Sequence, residues 1–140
     1  MIRTLLDTDT FIALLRGNPR VMERVRARPT KSIGVSMITV YELRVGVEKS
    51  RDPEKNGRFL EDTLAPFAVL PFDDPASVQS AKIRSRLERK GHGIGPYDTL
   101  IAGHARALDA KLITGNRREF SRVPDLKLGN WLAFQSRLQE

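Results

Sequence analysis

Residues 4–11 read TLLDTDTF, an apolar run that ends in two aspartates separated by one residue. A short apolar run bounded by polar residues is typical of a buried strand, and the strand predicted here covers Ile2–Leu6. A helix is predicted to follow within TFIALLRG, with Asp9 or Thr10 as its N-cap. Asp7 would then lie at the carboxyl end of a buried strand, where its role separates several possible functions.

Short apolar segments alternate with helix-like segments along the rest of the chain. Further strands are predicted at SIGVS, AVLPFD, KLIT and LKLGNW, with helices between them. Asn18 and Ser36 are placed to cap two of these helices, and Pro75 is placed to open the longest one. The alternation predicts an α/β fold in a single domain over residues 1–140, with a short central parallel sheet flanked by helices on both faces.

The composition favours a globular protein with a basic surface. Lys and Arg number 24 against 17 Asp and Glu, which gives a formal net charge of +7. This balance suits a polyanionic partner. The chain has no cysteine, so it has no disulfide, thiolate metal ligand or thiol nucleophile, in agreement with a reducing, cytoplasmic location. No apolar run approaches the roughly 20 residues needed to span a bilayer, and no membrane association is expected.

Several acidic residues are predicted to meet at one edge of the sheet. Asp7 closes the first strand, and Thr114 and Asn116 follow the fourth, at the edge where open α/β sheets bind ligands. Glu42 and Asp98 each lie on an apolar stripe near the start of a helix, where a carboxylate is costly to bury without a partner. Converging carboxylates repel one another, and an oxygen-only donor set favours Mg²⁺ or Mn²⁺ as the common partner.

Each acid also has an ordinary structural explanation. Asp7 can be a turn residue at a strand end, and Asp9 a simple helix cap. Glu42 can form a surface ion pair, and Asp98 can interact with the helix dipole. Glu119, in the segment NRREF, can lie on a solvated face. No single acid is decisive, and only their predicted proximity favours a site.

The opening motif LLDTDT resembles the signature of haloacid dehalogenase-type phosphatases. In that family Asp7 would be the nucleophile and Asp9 the general acid, acting on small phosphoesters. The resemblance implies a lysine and then an acidic pair at the end of a later strand. Here the strand KLIT is followed by GNRREF, which has no aspartate, and the phosphatase also leaves Glu42 and Asp98 without a role.

Four motifs together resemble PIN-domain ribonucleases, in particular the VapC toxins of bacterial toxin–antitoxin pairs. They are LLDTDT with Asp7, SMITVYELRVGV with Glu42, IGPYDTLIAGHARAL with Asp98, and TGNRREFSRVPDLKLGNW with Thr114, Asn116 and Glu119. They follow the family's order over nearly the whole chain. Asp9 departs from the family's usual asparagine, and Glu119 stands where many members have aspartate.

The resemblance implies a PIN-like fold and a cytoplasmic toxin that cuts RNA, structured RNA such as tRNA above all, with Mg²⁺ or Mn²⁺ as cofactor. It implies that the catalytic metal ligands are Asp7, Glu42, Asp98 and Glu119, that Asn116, Thr114 and Asp9 support them, and that Arg117, Arg118 and Lys90 contact RNA. It also implies a homodimer, a cognate VapB-type antitoxin that neutralises the toxin, and a higher assembly of the two.

One alternative of a different class is a catalytically silent RNA-binding module with a PIN-like fold. Such a module would bind RNA whether or not metal and acids are present. Two tyrosines, Tyr41 and Tyr97, adjoin the acids, and Tyr41 is expected to have a packing role. His104, on an alanine-rich helix, is expected to be a packed or surface residue rather than a general base.

Overall fold

The computed structural model describes residues 1–133. Within this range the strands are β1 (Thr4–Leu6), β2 (Ile33–Ser36), β3 (Ala68–Leu70), β4 (Lys111–Ile113) and β5 (Leu128–Gly129). The helices are α1 (Thr8–Leu15), α2 (Pro19–Arg26), α3 (Met37–Glu48), α4 (Pro53–Leu64), α5 (Asp74–Arg89), α6 (Pro96–Leu108) and α7 (Arg117–Phe120). The prediction of one domain over residues 1–140 includes 134–140, which lie outside the described residues.

The strands form one parallel sheet in the order β3-β2-β1-β4-β5. The chain therefore winds outward from β1 to β3 and then crosses back to place β4 on the other side of β1. The order reverses between β1 and β4, and a crevice at the carboxyl ends of these two strands is the usual ligand site of such a sheet. The two ends are joined there, because the amide of Asp7 donates a hydrogen bond of 3.0 Å to the carbonyl of Ile113.

Helices cover both faces of the sheet, as the α/β alternation predicts. Side chains alternate between the faces of a strand, so Leu6 packs against α1–α4 while Leu5 packs against α5, α6 and α7. Both leucines are fully buried. A sheet covered on both faces explains why its strands are continuous apolar runs instead of alternating patterns. The predicted α/β/α sandwich is confirmed.

The helices α5 and α6 pack unusually closely, and this packing brings the start of α6 to the crevice. A Cβ atom on Gly103 would lie 1.9 Å from Oγ of Ser80 and 2.6 Å from its Cα, so only glycine fits at this crossing. The neighbouring His104 is buried, with its Nδ1 2.8 Å from Oγ of Ser36 and its ring edge-on to Phe72. His104 is a packed residue, as predicted, and it holds α6 against the start of α3.

The described helices also bear on membrane association. None of those within residues 1–133 combines the length and the apolar character that crossing a bilayer requires.

Candidate active site

Asp7 is the first component of the site at the crevice, and it is 3% exposed. Its Oδ1 accepts a hydrogen bond of 2.8 Å from the amide of Thr10, so Asp7 is the N-cap of α1. The prediction of Asp9 or Thr10 as the cap was wrong, because β1 ends at Leu6 and leaves no loop before the helix. Burial raises the pKa of the Asp7 carboxyl, and hydrogen bonds from Thr114 and Thr10 oppose that rise.

Glu42 enters the crevice from α3. Ser36 caps this helix, as predicted, through a hydrogen bond of 3.1 Å from the amide of Ile38 to its Oγ. The Glu42 carboxylate is partly buried, and its Oε1 accepts a hydrogen bond of 2.7 Å from the hydroxyl of Thr8. A surface ion pair does not explain this residue, since the neighbouring Arg44 pairs with Glu61 instead.

Thr8 is a residue of the site that sequence reasoning missed. It is the first residue of α1 and lies between the two aspartates of the opening motif. Its hydroxyl contacts both Glu42 and Thr39 of α3, at 2.7 and 3.2 Å. Thr8 therefore fixes the position of the Glu42 carboxylate relative to Asp7. Its place beside the candidate ligand Asp7, inside the opening motif, was the signal available in the sequence.

Asp98 lies in the first turn of α6 and has the most perturbed acidity of the group. Its pKa is raised from 3.8 to about 6, first by burial and then by repulsion from Glu119, Asp7 and Glu42, with a smaller effect of Asp9. A carboxylate feels such repulsion only when like charges lie near it. The repulsion therefore indicates that acids at the junction of β1 and α1 and on α3, α6 and α7 lie near one another.

Glu119 is held by the backbone of one segment and the side chain of another. The amide of Gly95, just before α6, donates a hydrogen bond of 3.0 Å to its Oε1, and the Asn116 side chain donates a short one to its Oε2. The backbone amide of Asn116 donates a hydrogen bond of 2.9 Å to the hydroxyl of Thr114. Thr114 also contacts Asp7, so a continuous hydrogen-bonded chain connects Glu119 to the end of β1.

The donor set suits a hard divalent cation. Asp7, Glu42, Asp98 and Glu119 offer carboxylate oxygens only, the ligands that Mg²⁺ and Mn²⁺ prefer. Among the side chains of residues 1–133, no three acidic or histidine groups lie close enough together to enclose an ion. Glu42 and Glu119 are turned instead onto protein donors. Because a cation would relieve the repulsion that raises the pKa of Asp98, the residues fit the metal in chemistry and charge.

Four further predicted residues, Asp9, Lys90, Arg117 and Arg118, are exposed. Asp9 is exposed in the first turn of α1. Arg117 and Arg118 begin α7 next to Asn116, and Lys90 directly follows α5. The two arginines and the lysine are exposed, and none of the three takes part in an ion pair within the described residues. Their charges are therefore available to a polyanion.

Comparisons with known proteins agree with this architecture. Residues 4–126 match the family model of the PIN domain. A tRNA(fMet)-specific endonuclease VapC from Salmonella typhimurium is 38% identical over 134 residues, which cover 94% of this chain and 99% of the relative. A ribonuclease VapC2 from Rickettsia felis is 40% identical over 131 residues, or 91% and 96% of the two chains. The crystal structure of DNA-bound VapBC from Salmonella typhimurium matches at a TM-score of 0.89 and 38% identity, over 94% of this chain and 99% of that one.

The fold, the crevice and the motif order thus define a PIN domain. The chain belongs to the PIN-domain family and, within it, to the VapC ribonucleases. The resemblance drawn from the four motifs is confirmed, and the haloacid dehalogenase-type phosphatase is set aside.

Proposed function

We propose that this chain is a Mg²⁺- or Mn²⁺-dependent endoribonuclease toxin that cuts tRNA in the cytoplasm and is neutralised by a VapB-type antitoxin. The observation that carries the proposal is the hydrogen bonding at the switch point of the sheet, where the Thr10 amide holds Asp7, Thr8 holds Glu42 and the Gly95 amide holds Glu119. The raised pKa of Asp98, caused by burial and by the neighbouring acids, agrees with this arrangement. Four repelling acids at the ligand-binding edge of a basic protein are useful when a cation joins them to a phosphate.

Asp7, Glu42, Asp98 and Glu119 are the residues that would hold the cation. When bound, a divalent cation lowers the pKa of water and neutralises charge that develops on a phosphodiester. The chain's own contribution is to fix its acids. Asp7 is immobilised by the start of α1, and Glu42 is positioned by Thr8. Such outer contacts orient metal ligands, and losing one typically costs about 10- to 100-fold in metal affinity or activity.

Glu119 depends most on its supporting residues, because α7 is only one turn long. Asn116 and the Gly95 amide hold its two carboxylate oxygens, and Thr114 holds Asn116. The short helix therefore presents one acid in a fixed direction. Asp9 is exposed and contributes negative charge to the rim of the crevice.

RNA would approach over the basic residues that flank the acids. Arg117, Arg118 and Lys90 are exposed, and each phosphate contact adds a salt-sensitive contribution to affinity. The choice of tRNA rests on the Salmonella relative, which is named a tRNA(fMet)-specific endonuclease.

Partners are proposed on a similar basis. The Salmonella and Rickettsia structures that resemble this chain contain a VapBC pair. An arginine supplied by an antitoxin would satisfy the acids in place of a cation, because its guanidinium donates paired hydrogen bonds to carboxylates. We expect a homodimer of this chain and a higher assembly with the antitoxin.

The test is cleavage of total tRNA by the purified chain, with Mg²⁺ or Mn²⁺ and with EDTA. Asp7→Asn and Asp98→Asn are expected to abolish the cuts, whereas Asp62→Asn, on the exposed surface of α4, is expected to cut as the wild type does. Cleavage that survives EDTA or both site variants would refute the proposal. RNA binding without any cleavage, insensitive to metal and to the acids, would identify the chain as a silent RNA-binding module.

A further inference from the structure

Two exposed tyrosines lie beside the acidic cluster, one on each of two helices that carry its carboxylates. Tyr41 precedes Glu42 on α3 and is 50% exposed, and Tyr97 precedes Asp98 on α6 and is 42% exposed. Neither belongs to the two clusters of buried apolar residues in the described chain. The packing role expected of Tyr41 is thus limited to its contact with Tyr97, outside the buried core.

The two rings contact each other without covering each other's faces. Their centroids are 5.6 Å apart at an interplanar angle of 52°, and their hydroxyl oxygens are 3.5 Å apart. The pair is thus a braced aromatic surface that lies beside a cluster of acids.

Such a surface suits a nucleobase better than it suits the folded chain alone. A brace between α3 and α6 would gain most from burying its rings, yet about half of each side chain faces solvent. Enzymes that cut single-stranded RNA must hold the backbone at the catalytic acids while the flanking bases are splayed apart. Aromatic rings stabilise such bases by stacking, whatever the base.

We propose that Tyr41 and Tyr97 form a stacking site for the unpaired nucleobase beside the scissile phosphate. The proposal rests on the proposed ribonuclease activity and adds the substrate feature that the enzyme recognises: an unstacked nucleotide at the cut. An antitoxin peptide is the competing occupant. The position of the acids favours RNA over the peptide as the occupant. A base stacked on the tyrosines would place its own phosphate next to the carboxylates that would bind the cation.

The first arm of the test compares leucine and phenylalanine variants on full-length tRNA. Tyr41→Leu and Tyr97→Leu keep an apolar, helix-compatible side chain but remove the aromatic face. Each is expected to raise KM for RNA by about 5- to 150-fold, the range that stacking of one base spans, with kcat nearly unchanged. Tyr41→Phe and Tyr97→Phe are expected to behave as the wild type. Phe59→Leu, which removes an exposed ring from α4, is the matched control.

The second arm removes the base instead of the ring. Once the cut is mapped, RNA oligonucleotides carry one abasic position at each nucleotide on either side of it. At one of these positions, removing the base is expected to weaken binding of the oligonucleotide to wild type. Removing the same base is expected to cause no further loss of affinity in the leucine variants. Independent losses that simply add would overturn the proposal, since a double-mutant cycle then reports no contact.

Binding without cleavage separates this inference from the ribonuclease activity. An oligonucleotide carries the fluorescent base 2-aminopurine at the sensitive position and is mixed with protein in the presence of EDTA. Wild type and the phenylalanine variants are expected to quench the fluorescence of 2-aminopurine, whereas the leucine variants are not. Quenching by a protein that cuts no RNA would retain the stacking site and refute the nuclease. Equal quenching by wild type and leucine variants would overturn the stacking site, and loss of antitoxin binding alone in those variants would assign the tyrosines to the peptide.

Discussion

Replacing Asp98 by asparagine is expected to stabilise the metal-free protein at neutral pH. In the folded chain this carboxyl has a pKa of about 6, against 3.8 as its ordinary value. A raised pKa means that the folded state holds the proton to a higher pH than the unfolded state does. The free energy of unfolding therefore falls as pH rises from about 4 to about 6, and it stays lowered above that window. Asparagine is neutral throughout and avoids this loss.

The magnitude follows from the size of the shift. A difference of about two pKa units corresponds to about 3 kcal/mol. Asp98 is only partly buried, so solvent screening reduces this to about 1–2 kcal/mol. In a chain of this size the gain is about 3–8 °C in Tm. At pH 4 the two proteins are expected to agree within about 0.5 kcal/mol, since the carboxyl is then largely protonated in the folded state.

The assay is urea unfolding in EDTA at pH 4 and pH 7.5, followed by the fluorescence of the single tryptophan. Trp131 is 5% exposed and reports on loss of the core. Asp62→Asn, which removes the same charge from an exposed position on α4, is expected to change stability by less than about 0.5 kcal/mol. If Asp98→Asn is no more stable than wild type at pH 7.5, burial and the neighbouring acids do not raise the pKa of Asp98 and the site as described is wrong.

Two further predictions concern the packing of the fold and its basic rim. Gly103→Ala is expected to destabilise the protein by about 3 kcal/mol in urea unfolding, because its Cβ would clash with the backbone of Ser80. Gly46→Ala, where a Cβ meets open space on α3, is expected to stabilise by about 0.5–1 kcal/mol. Arg117→Ala with Arg118→Ala is expected to weaken tRNA binding and to reduce its log–log salt slope by about 1.4–1.8, measured by fluorescence anisotropy.

The control for the double arginine variant lies at α4, on the opposite face of the sheet from α7. Arg51→Ala with Arg58→Ala removes the same charge from exposed positions at and before α4 and is expected to leave the salt slope unchanged. An equal drop in both double variants would mean that only net charge matters. For Gly103, a variant as stable as wild type would contradict the close packing of α5 against α6.

The sequence was sufficient to predict the layered fold and the N-caps of two helices. The alternation of short apolar runs with helix-like segments predicted a parallel sheet covered on both faces, and Asn18 and Ser36 cap α2 and α3 as expected. The N-cap of α1 was misassigned because residue spacing does not reveal a strand that runs into a helix without a loop. Asp7 therefore serves both as cap and as a candidate ligand.

The missing parts of the site depend on contacts between distant elements. The hydrogen bond from Thr8 to Glu42 joins α1 to α3 across 34 positions, and that from Gly95 to Glu119 spans 24. Neither follows from local periodicity. The exposure of Tyr41 depends on how α3 crosses α6, which a helical pattern leaves open. The roles of the individual acids stay predictions, although their meeting at one crevice is a property of the fold.

Mn²⁺ binding to the purified chain, measured by isothermal titration calorimetry at pH 7.5, tests most directly whether the acids act together as one cation site. Wild type is expected to bind Mn²⁺, and Asp7→Asn, Glu42→Gln, Asp98→Asn and Glu119→Gln are each expected to weaken binding strongly, while Asp62→Asn does not. Mn²⁺ bound equally by wild type and by all four site variants would contradict the account, because the carboxylates at the end of β1 would then not be the metal site.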